Sequence, residues 1–157
     1  MSRKIVEAAK LAKTHDWNKM NDQRILTGRS IRGSTVGIFG LGGIGLSVAK
    51  KLIAFDIKKI IYNNRKESQI ANNLGYEYVS FEKLLSESDY LICCASLNKD
   101  SEGIFDSKAF AMMKKSSTFV NVGRGGMVNH NDLYEALKAN KNFSAGIFSI
   151  INKISFY

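Results

Sequence analysis

Proline is missing from this chain altogether, a departure from ordinary composition for which the sequence offers no physical reason. Cysteine is nearly missing: Cys93 and Cys94 stand side by side in an apolar run. Neighbouring cysteines rarely bridge and have no metal-ligand spacing, so two buried thiols are expected and no metal site. No apolar run is long enough to span a bilayer. The start, Met1-Ser2-Arg3-Lys4, leads into mixed polarity and not into the apolar core of a signal peptide. A cytoplasmic setting without a membrane partner is expected. Acids are scarce: 14 Asp and Glu stand against 23 Lys and Arg, a formal net charge of +9. Such an excess suits nucleic acid, or else a lysine-rich solvated surface with a pocket for an anionic cofactor. The lysines are scattered, with pairs at Lys50-Lys51, Lys58-Lys59 and Lys114-Lys115, and no basic stripe alternates with aromatics. The second reading is preferred, and no nucleic-acid partner is expected. Histidine is limited to His15 and His130.

What is present is ordinary in amount and specific in pattern. A chain of 157 residues with 45% hydrophobic content suffices for one domain with its own core. The apolar run Thr35-Val36-Gly37-Ile38-Phe39 leads into glycines spaced G-x-G-x-x-G at Gly40, Gly42 and Gly45, and Ser47 to Phe55 reads as a helix. Gly40 lets the strand turn tightly, Gly42 lets a pyrophosphate approach the backbone, and Gly45 lets the helix pack close to the strand. The free N–H groups and dipole of the helix start favour an anion. Strand before and helix after are the context that turns this motif into a dinucleotide site.

Along the chain, Ser2 to Asp16 reads as a helix with an apolar stripe of Ile5, Ala8, Ala9, Leu11 and Ala12. Trp17 to Ser34 is a polar connecting segment. Val48, Leu52 and Phe55 are expected to face inward from the helix after the glycines. Strands are expected at Lys58–Asn63, Tyr76–Ser80, Tyr90–Ala95 and Thr118–Val122, with Tyr90–Ala95 buried on both faces. Helices are expected at Glu67–Leu74, from a Ser80 cap through Glu87, at Ser107–Lys115, and from an Asn129 cap to Ala139. Ser144–Ile151 is a last apolar stretch. The alternation predicts an α/β fold, a doubly wound parallel sheet forming a Rossmann-type dinucleotide-binding domain. The chain divides into 1–34 (helix and connecting segment), 35–149 (the dinucleotide-binding domain) and a tail at 150–157.

The fingerprint expects an Asp or Glu at the end of the second strand to hold the ribose 2′-OH. Here that strand ends in Asn63-Asn64-Arg65-Lys66. No acid stands there to repel a 2′-phosphate, and Arg65 and Lys66 suit one, although Glu67 follows at once. Charge-assisted hydrogen bonds are worth roughly 1.5–3 kcal/mol each, about one to two orders of magnitude in affinity. NADP is therefore expected in preference to NAD.

Several stretches together resemble the nucleotide-binding half of the D-isomer-specific 2-hydroxyacid dehydrogenases. They are Gly33-Ser34-Thr35-Val36-Gly37-Ile38-Phe39-Gly40-Leu41-Gly42, Ser86-Glu87-Ser88-Asp89-Tyr90, Met113-Lys114-Lys115, Phe119-Val120-Asn121-Val122-Gly123-Arg124-Gly125-Gly126-Met127-Val128-Asn129 and Asp132-Leu133-Tyr134-Glu135-Ala136-Leu137. The resemblance implies hydride transfer between NADPH and a small 2-keto or 2-hydroxy acid such as glyoxylate or hydroxypyruvate. It assigns Gly43, Ile44 and Gly45 to the pyrophosphate and Arg65 and Lys66 to the 2′-phosphate. It also sets Asn63, Ser96, Leu97, Val122 and Gly123 along the dinucleotide. Arg124 matches the arginine that binds the substrate carboxylate and polarises its keto group.

The departures carry equal weight. Gly43 stands where the family commonly has Arg, Asn98-Lys99-Asp100 replaces a Thr-Pro pair with a following acid, and Phe148 replaces an Asp near the nicotinamide. The tail from Ile150 to Tyr157 does not match. The family's catalytic His and Glu lie downstream of that point, and neither His15 nor His130 has the surroundings of a tuned acid. The chain reads as a truncated member, inactive alone, whose exposed apolar surface leads to homo-oligomers or aggregation. The alternative is a non-catalytic nucleotide-binding interaction or scaffold protein, as in the family's corepressors.

Overall fold

The computed structural model describes residues 5–14, 28–140 and 143–148. The chain divides into two units, Met1–Ser30 and Ile31–Tyr157. In the first, α1 (Ile5–Lys13) is the described element. Ile5 and Val6 are exposed on it, and Ala8 and Leu11 are half-buried. The Thr14 hydroxyl donates to the Lys10 carbonyl at 3.1 Å and closes its last turn. His15 and the ends of the expected helix lie outside the described residues.

In the second unit strands and helices alternate. The order is β1 (Thr35–Phe39), α2 (Gly43–Leu52), β2 (Lys59–Asn63), α3 (Gln69–Asn73), β3 (Glu77–Tyr78), α4 (Phe81–Glu87), β4 (Tyr90–Cys93), α5 (Ser107–Met112), β5 (Thr118–Asn121), α6 (His130–Ala139) and β6 (Ser144–Ile147). The six strands form one sheet in the order β3-β2-β1-β4-β5-β6. Every pairing is parallel, with Val36 opposite Ile60 on one side and Tyr90 on the other. The chain leaves β1 toward β2 and β3, then crosses back to place β4 on the other side of β1. That reversal opens a crevice at the carboxyl ends of β1 and β4.

Each face of the sheet has its own core. Phe39, Ile61, Leu91, Cys93 and Phe119 pack with Leu84 and Leu85 of α4, Ala109 and Phe110 of α5, and Leu133 of α6. A file of rings crosses this side, Phe39 to Phe105 at 5.4 Å, Phe105 to Phe119 at 4.8 Å and Phe119 to Phe110 at 5.7 Å, spacings at which aromatic edges and faces attract. On the other side Val36, Ile38, Ile60 and Tyr62 pack with Ala49 of α2 and Ala71 of α3. Helices thus cover both faces, as the alternation predicts. Burial on β4 alternates, with Leu91 and Cys93 buried and Tyr90 and Ile92 half-buried, so β4 is not closed on both faces. The reason is that α2 and α3 belong to the β1–β2 half of the second face.

Helix starts separate into two kinds. Ser68, Ser80, Asp106 and Asn129 each accept a backbone N–H at the start of α3, α4, α5 and α6. Such caps satisfy amides that have no intrahelical partner. α2 starts on Gly42 with no side-chain cap. It begins at Gly43 and not at Ser47, because the glycines themselves take up helical geometry. It ends at Leu52, and Ile53–Phe55 tighten into a single 3-10 turn before Asp56 turns left-handed at φ 54°. That turn carries Phe55 away from the core, leaving it 57% exposed, while Gly45 and Ala49 of α2 are buried and Leu52, as expected, packs half-buried against the core with Leu46. α5 stops at Met112, short of Lys115, and β3 has only two residues.

Candidate dinucleotide site

The glycine turn is set by what surrounds it. Gly40 has φ +91°, and a Cβ there would come within 2.5 Å of the Ala95 backbone. Its N–H donates to the Asn63 carbonyl at 2.9 Å. A Cβ on Gly45 would meet the Gly40 carbonyl and Ile38. These two glycines are required by protein packing. Around Gly42 and Gly43 a Cβ would meet nothing within 4 Å, so space stands open above the turn. The first intrahelical bond runs from Leu46 N–H to the Gly42 carbonyl at 2.8 Å. The amides of Gly43, Ile44 and Gly45 are therefore left without an intrahelical partner. Gly45 is buried and the Ile44 side chain is exposed.

The neighbouring corner, Asn63 to Lys66, is pinned from both sides. The Asn63 side-chain amide donates to the Val79 carbonyl at 2.8 Å. The Asn64 side-chain oxygen accepts the Leu41 N–H at 2.7 Å, and the Asn64 carbonyl accepts the Tyr78 hydroxyl at 2.9 Å. Arg65 and Lys66 follow, both exposed. Among the described residues, neither side chain is engaged by a hydrogen bond or an ion pair.

Two cavities meet at this corner. One, of about 370 Å³, lies across the ends of β1, β2 and β4 and is lined by Gly40, Gly42, Asn63, Asn64, Arg65 and Ser96, with Cys94, Asp100 and Ser101 opposite. The other, of about 550 Å³, is lined by Leu41, Gly42, Asn64, Arg65 and Lys66. The wall beyond β4 is a built turn. The Asn98 side-chain oxygen accepts the N–H groups of Asp100 at 2.9 Å and Ser101 at 3.1 Å, and the Ser101 hydroxyl donates to the Ser96 carbonyl at 3.1 Å. Burial pushes the Cys94 thiol up to about 11 and that of Cys93 to about 12, so both are protonated at neutral pH. Cys93 is buried as expected, whereas Cys94 is only half-buried because it reaches the first cavity.

One strand further along, the loop after β5 holds Arg124. The buried Asn121 side chain accepts the Gly123 N–H at 2.9 Å and donates to the Arg124 carbonyl at 3.1 Å. A Cβ on Gly123 would meet the Met127 methyl at 2.5 Å and the Ala95 carbonyl at 2.8 Å. Arg124 itself is exposed.

The structure thus brings Gly40, Gly42, Asn63, Arg65 and Ser96 to one cavity and Lys66 to the adjoining one. Gly43, Ile44 and Gly45 sit at the α2 start, outside both linings. Leu97, Val122, Gly123 and Arg124 occupy the neighbouring edge, also outside both. The sequence reading missed Asn64, Asn121, Cys94 and Asp100. An Asn-Asn pair at a strand end was the available signal for Asn64, since such side chains bond nearby backbone.

These residues fit a dinucleotide. Open space above Gly42 and Gly43, amides left uncapped at α2, and cations over a cavity lined by no acid are what a pyrophosphate and a further anion require. The strand order and the glycine turn at its reversal define a Rossmann-type dinucleotide-binding domain. A family model for the D-isomer specific 2-hydroxyacid dehydrogenase NAD binding domain matches residues 1–147, and the chain belongs to that family.

The chain is 34% identical over 146 residues to a human glyoxylate reductase/hydroxypyruvate reductase, covering 92% of this chain and 44% of that enzyme. The crystal structure of a glyoxylate reductase from Paecilomyes thermophila superposes with TM-score 0.83 at 30% identity, over 97% of this chain and 45% of that one. An acyclic imino acid reductase in complex with NADPH and D-Arg superposes with TM-score 0.83 at 26% identity, over 99% and 48%. The chain spans about half the length of the relatives it matches. No helix among the described residues is long and apolar enough to cross a membrane.

Proposed function

We propose that this chain is the NADP-preferring cofactor half of a reductase acting on small 2-keto acids. The observation that carries the reading is the α2 start, uncapped and open, beside a cavity that meets Arg65 and Lys66 and no acid. The unpartnered amides of Gly43, Ile44 and Gly45 hold the pyrophosphate, with the helix dipole adding to the attraction. Asn63 keeps a free acceptor oxygen for a ribose hydroxyl, since its amide nitrogen is spent on Val79. Ser96, Leu97, Val122 and Gly123 line the nicotinamide half. When bound, the reduced nicotinamide supplies a hydride. Arg124 pairs with the substrate carboxylate through its planar fork and draws charge toward the keto oxygen. The relatives named for glyoxylate reduction and the one crystallised with NADPH support the same direction. Free Cys93 and Cys94 agree with a reducing, cytoplasmic setting.

The 157-residue chain alone does not turn over in this reading. Neither cavity lining includes a histidine to give a proton, and general acid catalysis contributes about 10²–10⁴-fold. Fluorescence titration tests the binding half: NADPH binds more tightly than NADH, and Arg65→Ala abolishes the difference. Equal affinity in the unmutated chain sinks the preference. Glyoxylate-dependent NADPH oxidation that disappears in Arg124→Ala shows instead that the chain is a working enzyme.

A further inference from the structure

We propose that Asn64 is a further specificity-determining residue for the cofactor's 2′-phosphate, acting together with Arg65, an inference that rests on the NADP reading above. A backbone N–H can be accepted only by oxygen. The 2.7 Å bond from Leu41 therefore fixes which end of the Asn64 carboxamide faces the glycine turn. The nitrogen Nδ2 is the other end, and it is a donor only. Among the described residues it has no hydrogen-bond partner.

The side chain cannot turn over at low cost. Flipping it would set NH₂ against the Leu41 N–H, and the Asn64 carbonyl is held from the opposite side by the Tyr78 hydroxyl. Asn64 lines both cavities, next to Arg65 in each. The corner thus presents a fixed amide donor beside two unengaged cations. A donor toward a phosphate oxygen makes a charge-assisted bond, about twice as strong as one to a neutral hydroxyl. An acid at this position would do the reverse: it would accept from a 2′-OH and repel a 2′-phosphate.

Asn64→Asp isolates the effect, because it keeps the oxygen that Leu41 needs and replaces the donor with a negative oxygen. The experiment is calorimetric titration of the full chain with 2′,5′-ADP and with 5′-AMP, which differ by the 2′-phosphate. The unmutated chain binds 2′,5′-ADP at least about tenfold more tightly. Asn64→Asp brings the ratio to one or below through loss of 2′,5′-ADP affinity, with the unliganded melting temperature unchanged. Asn64→Ala, which removes the donor together with the oxygen that Leu41 uses and adds no charge, lowers the ratio severalfold through 2′,5′-ADP affinity with 5′-AMP affinity unchanged, and decides the matter if the Asp variant does not fold. A ratio unchanged in the folded variants overturns the assignment to Asn64 while leaving the NADP reading intact. A ratio near one in the unmutated chain overturns both.

Discussion

One methyl group separates two glycines of the same turn. Gly45→Ala drives a Cβ into the Gly40 carbonyl, which is backbone and cannot swing away. The expected cost is about 1–3 kcal/mol in a urea melt. Gly43→Ala meets nothing within 4 Å inside a helical turn, so stability holds or rises by up to about 1 kcal/mol in the same melt. Asn121 supplies the other residue-scale test. Asn121→Ala leaves the buried Gly123 N–H and the Arg124 carbonyl without a side-chain partner, for an expected loss of about 1–3 kcal/mol. The roles of Gly40 and Gly45 were legible in the sequence, because each follows from the absence of a side chain in a fixed spacing. Asn64 and Asn121 were not. Their partners, Leu41 and Gly123, are set by folded loop geometry that no spacing rule contains.

At the level of elements, β2, β3 and α4 are joined by an ion-pair ladder. Lys59 reaches Glu77 at 2.9 Å and Glu87 at 3.1 Å, and Lys83 reaches Glu77 at 2.7 Å. Hydrogen bonds from Lys83 and then Lys59 hold the Glu77 carboxyl below its ordinary 4.5. A depressed carboxylate stabilises the fold above its unfolded value, and that contribution fades as pH falls through the folded one. Acid unfolding of Glu77→Gln should therefore lose part of its pH dependence below 4.5 while changing little near neutrality, where such exposed pairs are screened. An acid limb identical to that of the unmutated chain would count against the ladder. The caps at Ser80 and Asn129 were readable because Ser and Asn before an amphipathic run have one common use. The α2 start was misplaced for the complementary reason: glycine carries no cap, so the helix shows no mark where it begins. Phe55 was read inward from helical period alone, which fails once the last turn tightens.

For the whole molecule, the parallel direction and double winding were legible, since βα alternation leaves few ways to wind a sheet, whereas the strand order and the sixth strand come from the structure. How far each face is closed was not legible either, because that depends on where helices of unequal length come to rest. Several large apolar side chains point outward, including Ile44 at 66% and Phe148 at 85% exposure. Such surface favours self-association. Light scattering of a concentrated sample should show species larger than a monomer, and Phe148→Ser should shift them toward the monomer. A clean monomer at every concentration would refute this.

The tight seat of Gly40 against Ala95 also sets an order of events during synthesis. The glycine turn is made before one of its walls, the segment after β4, which arrives only with residue 95. At about 5–20 residues per second, the wait is on the order of several seconds. In the folded sheet β2 pairs with one edge of β1 and β4 with the other, so that second edge has no partner until β4 is made. A nascent chain in that state exposes a row of unpaired amides and carbonyls on its most apolar strand. The same reversal of strand order that opens the crevice for an anion therefore leaves one edge of β1 to be closed by a strand made later in the chain.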